Sequence, residues 1–366
     1  MSNDLRRVRR ELGQSLWLDN LSRTLIHDGI LARYIAEMGV SGVTSNPSIF
    51  QKAIHTSPYY REDARTIQAD SAEHLYEQLV KTDLQMACDL LAPIHRESHG
   101  DDGWVSWEES PRLAEDEAAT VAEAQRLREI VQRDNLLIKV PATPAGIRAL
   151  TTLIGRGISV NVTLMFGLAH VRAVFDAYCA GLAQWIDKGG DPTKVKAVAS
   201  LFLSRVDTLV DERLTQMGTA QAMALRGKTA VAMAKVAYGI YRETFHGDSF
   251  ARLAGLGGRP QYLLWASTST KNPAYSDLLY VEPLLGPETI NTLPDDTLEK
   301  LRDHGRLQAQ LEDGLEEAQA TLDTLAELGI DMDGDVAQTL QTQGLAAFDE
   351  SFGKMLAEVE KLRSQG

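Results

Sequence analysis

Short apolar runs recur along the chain, separated by longer stretches with helical spacing. The runs cover residues 16–21, 42–46, 104–108, 136–140, 159–165, 197–203, 262–267 and 279–284. Strand-length runs alternating with helical patterns predict parallel βαβ units. Eight such units predict an α/β fold of the closed (β/α)8 type, a TIM barrel. A doubly wound sheet is the alternative, but no glycine-rich phosphate fingerprint follows the first run. The segment Gly255-Leu256-Gly257-Gly258 reads as a turn. No internal repeat, low-complexity linker or clean boundary divides the chain, so residues 1–366 read as one barrel domain.

Two intervals are longer than one crossover helix. Residues 57–92 are polar, with Leu75, Leu79, Leu84 and Leu90 at helical spacing, which predicts an insertion of one or two helices. Residues 295–366 are helix-rich and highly charged. Leu311, Leu315, Leu322 and Leu325 recur periodically there, and the chain ends in an apolar stripe of Phe348, Phe352, Met355, Leu356 and Val359. A C-terminal helix packed on the barrel is the expected use of that stripe; a homodimer surface is the alternative.

Composition narrows the partners. The 366 residues admit one barrel with insertions or two domains, and a hydrophobic share of 44% is ordinary for a soluble protein. A net charge of −14 argues against nucleic acid, whose phosphates call for a basic surface. An anionic small substrate then requires local positive residues. Cys88 and Cys179 lie far apart, with neither metal nor disulfide spacing, and suggest a reducing cytoplasm. Arg6, Arg7, Arg9 and Arg10 precede no apolar core of a signal peptide and read as one face of a solvated helix. No apolar run reaches the ~18 residues of a membrane span.

One lysine changes the picture. Lys139 stands alone inside Leu136-Leu137-Ile138-Lys139-Val140-Pro141. Burying an ammonium costs several kcal/mol unless something compensates, and desolvation favours the neutral amine, a nucleophile toward carbonyl carbon. The bland alternative is a lysine snorkelling from a strand end. Polar residues elsewhere decide between the two. Strand side chains alternate, so Asp19 shares a face with Trp17, Asn46 with Thr44, Glu108 with Ser106, Lys139 with Leu137, Asn161 with Thr163, and Ser200 with Val198. Each lies at or near the C-terminal end of its run, where a barrel carries its catalytic groups. Scattered, these polar groups would be hard to satisfy; converging, they satisfy one another and a substrate.

Whole words in the sequence then resemble a known family. Gly42-Val43-Thr44-Ser45-Asn46-Pro47-Ser48-Ile49-Phe50 resembles the first transaldolase signature. Leu137-Ile138-Lys139-Val140-Pro141-Ala142-Thr143-Pro144-Ala145-Gly146-Ile147 resembles the second, which surrounds a Schiff-base lysine. Asn161-Val162-Thr163-Leu164 and Trp265-Ala266-Ser267-Thr268-Ser269-Thr270-Lys271-Asn272-Pro273 are similar to further segments, the latter to the longer bacterial form. The likeness runs from about Leu16 to the C-terminus. It implies a class I aldolase-type barrel that needs no cofactor. Its reaction in the pentose phosphate pathway moves a dihydroxyacetone unit from fructose 6-phosphate or sedoheptulose 7-phosphate to erythrose 4-phosphate or glyceraldehyde 3-phosphate.

Carried over residue by residue, the resemblance makes Lys139 the nucleophile and Asp19 the acid/base at the C4 hydroxyl. Glu108 matches the glutamate that activates a water, with Thr163 holding that water. Glu109 points away by alternation but would take over the role if the strand were bulged. Asn46 and Asn161 match groups that bind the dihydroxyacetone hydroxyls, and Ser200 and Arg205 match the serine and arginine of the phosphate end. Many transaldolases carry a second arginine where this chain has Lys271, and lysine binds phosphate as a point charge, not a fork. The nearest rival is a Schiff-base aldolase that cleaves fructose 6-phosphate and releases dihydroxyacetone. The presence of Lys139, Asp19 and Glu108 argues against a catalytically idle barrel.

Three features are set aside. Asp331-Met332-Asp333-Gly334-Asp335 imitates a calcium loop, but its glycine falls fourth, not sixth, so a polar turn and helix start are expected. His95 and His99 lack a third ligand or a following glutamate for zinc. Lys228 and Lys235 read as surface.

Overall fold

The computed structural model describes residues 3–364. Eight parallel strands pair in chain order and close: β1 (Gln14–Leu18), β2 (Val40–Thr44), β3 (Val105–Glu108), β4 (Leu136–Pro141), β5 (Val160–Met165), β6 (Ala197–Phe202), β7 (Tyr262–Ala266) and β8 (Thr289–Leu293). β8 returns to β1 in parallel, with Leu16 opposite Asn291 and Leu18 opposite Leu293. Helices cover the outside of the barrel, so most strands are buried on both faces. That is why their positions are mostly apolar on both faces, with Lys139, Asn161, Thr163 and Ser200 as polar exceptions.

Local chemistry ends β2 and β4 in the same way. Asn46 caps the helix Pro47–Thr56, accepting from Ile49 N–H at 3.0 Å, and Pro47 fills the first helical turn. Thr143 caps the helix Pro144–Ile154, accepting from Gly146 N–H at 3.0 Å, again with proline at the start. A proline there forfeits only an N–H that has no intrahelical partner. Gly146 is required by close approach, since a Cβ would sit 1.9 Å from the carbonyl oxygen of Pro141. Inside the barrel Gly42 is bare for a similar reason: the indole of Trp17 lies 2.4 Å from where its Cβ would be.

The last strand is not where the apolar run places it. Residues 279–284 form turns and a short 3-10 helix, Glu282–Leu284. Their apolar side chains, Tyr280, Val281 and Leu284 among them, are buried as a loop packed under the barrel's flank. Pro283 lacks the N–H a central strand must donate. The true β8, Thr-Ile-Asn-Thr-Leu, looks too polar for a core strand, yet all five residues are buried.

The interval between β2 and β3 also differs from a simple insertion. It holds the helices Pro47–Thr56, Tyr59–Thr66 and Ala72–Glu97. The last of these packs on β2 and β3 and serves as the barrel's own crossover helix. At the other end of the barrel, the helix Arg6–Leu12 leaves Arg6, Arg7 and Arg10 in solvent, but Arg9 turns inward to pair with Asp101 at 2.8 Å.

The C-terminal helix Ala337–Ser364 lies against the helices Pro47–Thr56 and Ala72–Glu97. Phe348, Phe352, Met355 and Val359 are buried there within the chain, and Tyr76 meets Phe352 edge to face at 6.0 Å. Asp331 accepts from Gly334 N–H at 2.9 Å and opens this helix as a polar turn. The preceding helix, Leu315–Glu327, buries Ala318 and Leu325, while Leu315 at its first position is exposed. Lys228 is exposed, but Lys235 is not free surface, because its ammonium donates to the carbonyls of Gln310 and Asp313. No described helix is long and apolar enough to cross a membrane.

Candidate active site

The C-terminal ends of the strands open into a cavity of about 110 Å³ lined by Asp19, Asn46, Lys139, Asn161, Thr163, Ser200 and Arg205, together with Thr44, Phe202, Thr292 and Phe348. Side-chain alternation thus brings together residues drawn from across the sequence.

Lys139 is buried, but it is not alone. β3 and β4 are in register with Glu108 beside Lys139, and the ammonium donates to Glu108 Oε2 at 3.0 Å and to the Ser45 carbonyl at 3.0 Å. Burial pushes the Glu108 carboxyl above its ordinary range, with the positive charge of Lys139 opposing that shift. Glu109 points the other way, as alternation predicts. It accepts from the Thr120 hydroxyl on the helix Glu117–Val131, and burial pushes its carboxyl up to about 8.

Asp19 sits one residue beyond β1, tied to the barrel by its N–H donating to the Leu293 carbonyl at 2.8 Å. The Thr44 hydroxyl donates to Asp19 Oδ1 at 2.8 Å and lies 2.6 Å from the hydroxyl of Thr292. Burial raises the Asp19 pKa, against the lowering effects of the Lys139 charge and the Thr44 hydrogen bond.

Across the mouth, Asn161 bridges two hydroxyls: its amide donates to Ser106 Oγ at 3.0 Å, and it accepts from Ser200 at 2.6 Å. Thr163 Oγ is buried without a hydrogen-bond partner among the described residues. The bulge in β5 after Val162 and the left-handed Leu164 (φ 57°) sit beside it. A leucine in that region is uncommon, and such strain concentrates where a site requires it. Asn46 spends its oxygen on the cap of its helix, and its amide nitrogen makes no hydrogen bond among the described residues. Arg205, in the helix Ser204–Met217, lies over the Phe202 ring at 5.7 Å and has no carboxylate partner among the described residues. Burial lowers its pKa, while the charge of Glu108 acts in the opposite direction.

Lys271 is the one sequence candidate outside this group. It is exposed in the loop after β7, donates to Ser269 Oγ at 2.5 Å, and lines a neighbouring cleft with Asp207, Asp211 and Tyr275. Its charge still bears on Asp19. Several further lining residues escaped the sequence reading as site groups, Thr292, Phe202, Thr44 and Phe348 among them. Thr292 was hidden with β8. Phe202 shares the inward face of Ser200 by alternation, so the signal for it was present. Thr44 and Phe348 stood in view only as a face-mate of Asn46 and as part of the C-terminal stripe.

The profile of a family described as Transaldolase/Fructose-6-phosphate aldolase matches residues 16–359. A transaldolase of Thiobacillus denitrificans is 57% identical over 350 residues, covering 95% of this chain and 97% of the relative. Transaldolase 2 of Streptomyces avermitilis is 45% identical, covering 98% of this chain and 97% of its own length. A transaldolase of Neisseria gonorrhoeae is 44% identical, covering 95% and 97%. With a closed eight-stranded barrel, a lysine–glutamate pair in its mouth and likeness along nearly the whole chain, the protein belongs to the transaldolase/fructose-6-phosphate aldolase family.

Proposed function

We propose that the barrel mouth carries out transaldolase-type transfer of a dihydroxyacetone unit between sugar phosphates, through a Schiff base on Lys139. The observation that carries this reading is the buried contact between Lys139 Nζ and Glu108 Oε2 at 3.0 Å. An ammonium is not a nucleophile, and a carboxylate at hydrogen-bond distance is where its proton can go. Burial raises the proton affinity of Glu108 and so eases that step.

The neutral amine attacks C2 of the ketose donor, and the carbonyl oxygen becomes a hydroxyl. Loss of that hydroxyl as water, with protons relayed by Glu108 and a water held at the free Thr163 hydroxyl, gives the iminium. Asp19 then takes the C4 hydroxyl proton. The C3–C4 bond breaks, its electron pair flows into the iminium to form the enamine, and an aldose phosphate leaves. An acceptor aldehyde adds by the reverse sequence, and hydrolysis frees the lysine. Asn161, Ser200 and Asn46 hold the donor's hydroxyls, and Arg205 takes the phosphate, as a half-buried cation with no carboxylate partner suits. The free cysteines Cys88 and Cys179 accord with a reducing cytoplasm.

A second reading, cleavage of fructose 6-phosphate with release of dihydroxyacetone, uses the same intermediate and falls within the same family. Borohydride trapping with fructose 6-phosphate, read by peptide mass spectrometry, tests the common step. A reduced adduct is expected on the Lys139 peptide and on no peptide of Lys139→Met. A folded chain that traps nothing at Lys139 sinks both readings. Turnover that requires added erythrose 4-phosphate marks transfer; equal turnover without it marks cleavage.

A further inference from the structure

At the opposite end of the barrel lies a cavity of about 760 Å³. It is walled by the C-terminal end of the helix Ala72–Glu97 and by the segments that lead into β3, β4, β5, β6 and β7, with Trp104 and Leu136 as its apolar part. None of its lining residues belongs to the catalytic mouth.

Its charge is unlike that of the rest of the molecule. The chain carries −14 overall, yet Arg96, Arg128, Lys194 and Arg259 line this cavity with one carboxylate, Asp134, while Asp191 lies near Lys194 and Arg259 outside the lining. Among the described residues none of these four cations forms an ion pair, although arginines elsewhere, such as Arg126, Arg133 and Arg148, do. Arg259 is the most constrained. It donates through Nη2 to the His99 carbonyl, while Nη1 is buried with no hydrogen-bond partner among the described residues. A buried guanidinium nitrogen without an acceptor is costly, and such an orphan in a native protein calls for an explanation. His95 stands edge-on to Trp104 at 4.8 Å, and burial, then Arg259, Lys194 and Arg96, disfavour its protonated form against the pull of Asp134.

From this convergence we propose that the cavity is a second anion site, separate from the catalytic mouth, for a small molecule carrying at least two phosphate groups. Among the lining residues, four cations less one carboxylate leave a net charge of +3, which Asp191 nearby tempers from outside the cavity. A single phosphate group brings only about −1.5 to −2 near neutral pH and meets one part of the wall, whereas two joined phosphates offer oxygens to cations spread over it. Arginine forks suit such oxygens, and Arg259 Nη1 supplies a donor already stripped of water.

Sodium pyrophosphate titrated calorimetrically into the intact Arg205→Gln chain, whose catalytic phosphate group is disabled, tests the site. The expected result is one bound pyrophosphate, with orthophosphate at least tenfold weaker. Adding Arg128→Gln and Lys194→Gln, both exposed and outside the core, should weaken pyrophosphate tenfold or more. In the Arg205→Gln chain the imidazole resonances of His95 should move on addition of pyrophosphate. Three results overturn the proposal: no binding to Arg205→Gln, unchanged affinity in the triple variant, or binding that leaves His95 unmoved.

Discussion

A lysine that serves as a nucleophile must be desolvated enough to lose its proton, yet held still. Lys139 is buried and held between two acceptors, Glu108 on the neighbouring strand β3 and the carbonyl of Ser45 just after β2, and Glu108 is the one that can take a proton. Glu108→Gln keeps the shape and removes the proton acceptor. Loss of general acid–base help typically costs 10²–10⁴-fold; a fall in kcat on that order is expected, together with slower single-turnover borohydride trapping. Trapping at the unaltered rate would remove Glu108 from Schiff-base formation. The phosphate end offers a sharper contrast between two cations. Arg205 lies in the mouth without a carboxylate partner, whereas Lys271 is exposed and faces another cleft. Hydrogen bonds to charged groups are worth about 1.5–3 kcal/mol, so Arg205→Ala should lower kcat/KM by roughly ten- to hundredfold, mainly through KM. Lys271→Ala should lower it by less than about threefold, since exposed charges contribute little. Steady-state kinetics on a sugar phosphate checks both, and a larger effect at Lys271 would reverse the assignment.

At the scale of elements, legibility followed burial on two faces. β4 to β7 were visible because both faces are covered and apolar residues predominate in each run. β8 was not, because Thr289, Asn291 and Thr292 are buried polar residues whose partners come from distant segments: Gln14 donates to Thr289, and the Tyr280 carbonyl accepts from Asn291. Hydropathy cannot register a hydrogen bond to a residue far away in sequence. Thr292 was missed along with its strand, whereas Asn161 and Ser200 stand in runs apolar enough to be read as strands. The pairing of Glu108 with Lys139 needed the register of β3 on β4, which pattern alone does not supply. The C-terminal stripe was legible as amphipathic, but its seat against the helices Pro47–Thr56 and Ala72–Glu97 was not. That seat brings Phe348 to the mouth and places Phe352 between Tyr76 and the Arg112 guanidinium. Phe352→Ala leaves a cavity under the helix and should destabilise the fold by about 3–5 kcal/mol, visible as a lowered midpoint in urea. A change below about 1 kcal/mol would mean that the helix is only loosely attached.

Across the whole molecule, stability depends on pH through buried groups outside the cavity at the mouth. Glu109 is the clearest case. Its carboxyl is buried on the outer face of the barrel, Thr120 is its one hydrogen-bond partner, and its pKa is pushed up to about 8 from 4.5. Between those two values the folded chain holds a proton that the unfolded chain has released. Unfolding therefore becomes easier as pH rises through that window and levels off above it. Asp207, pushed up to about 6 by burial, adds the same trend over the lower part of the range. Asp101 runs the other way, because Lys196 and Arg9 hold its carboxyl below the usual range, so its contribution is lost as acid protonates it. A stability maximum on the acid side of neutrality follows. Glu109→Gln keeps the size and the hydrogen bond to Thr120 but cannot ionise, and should flatten the fall between pH 5 and 8. At pH 8 the variant should exceed the parent by a few kcal/mol on the order set by linkage. Chemical denaturation at a series of pH values reads this directly. Parallel curves for the two chains would show that Glu109 ionises as freely in the folded barrel as in the unfolded chain.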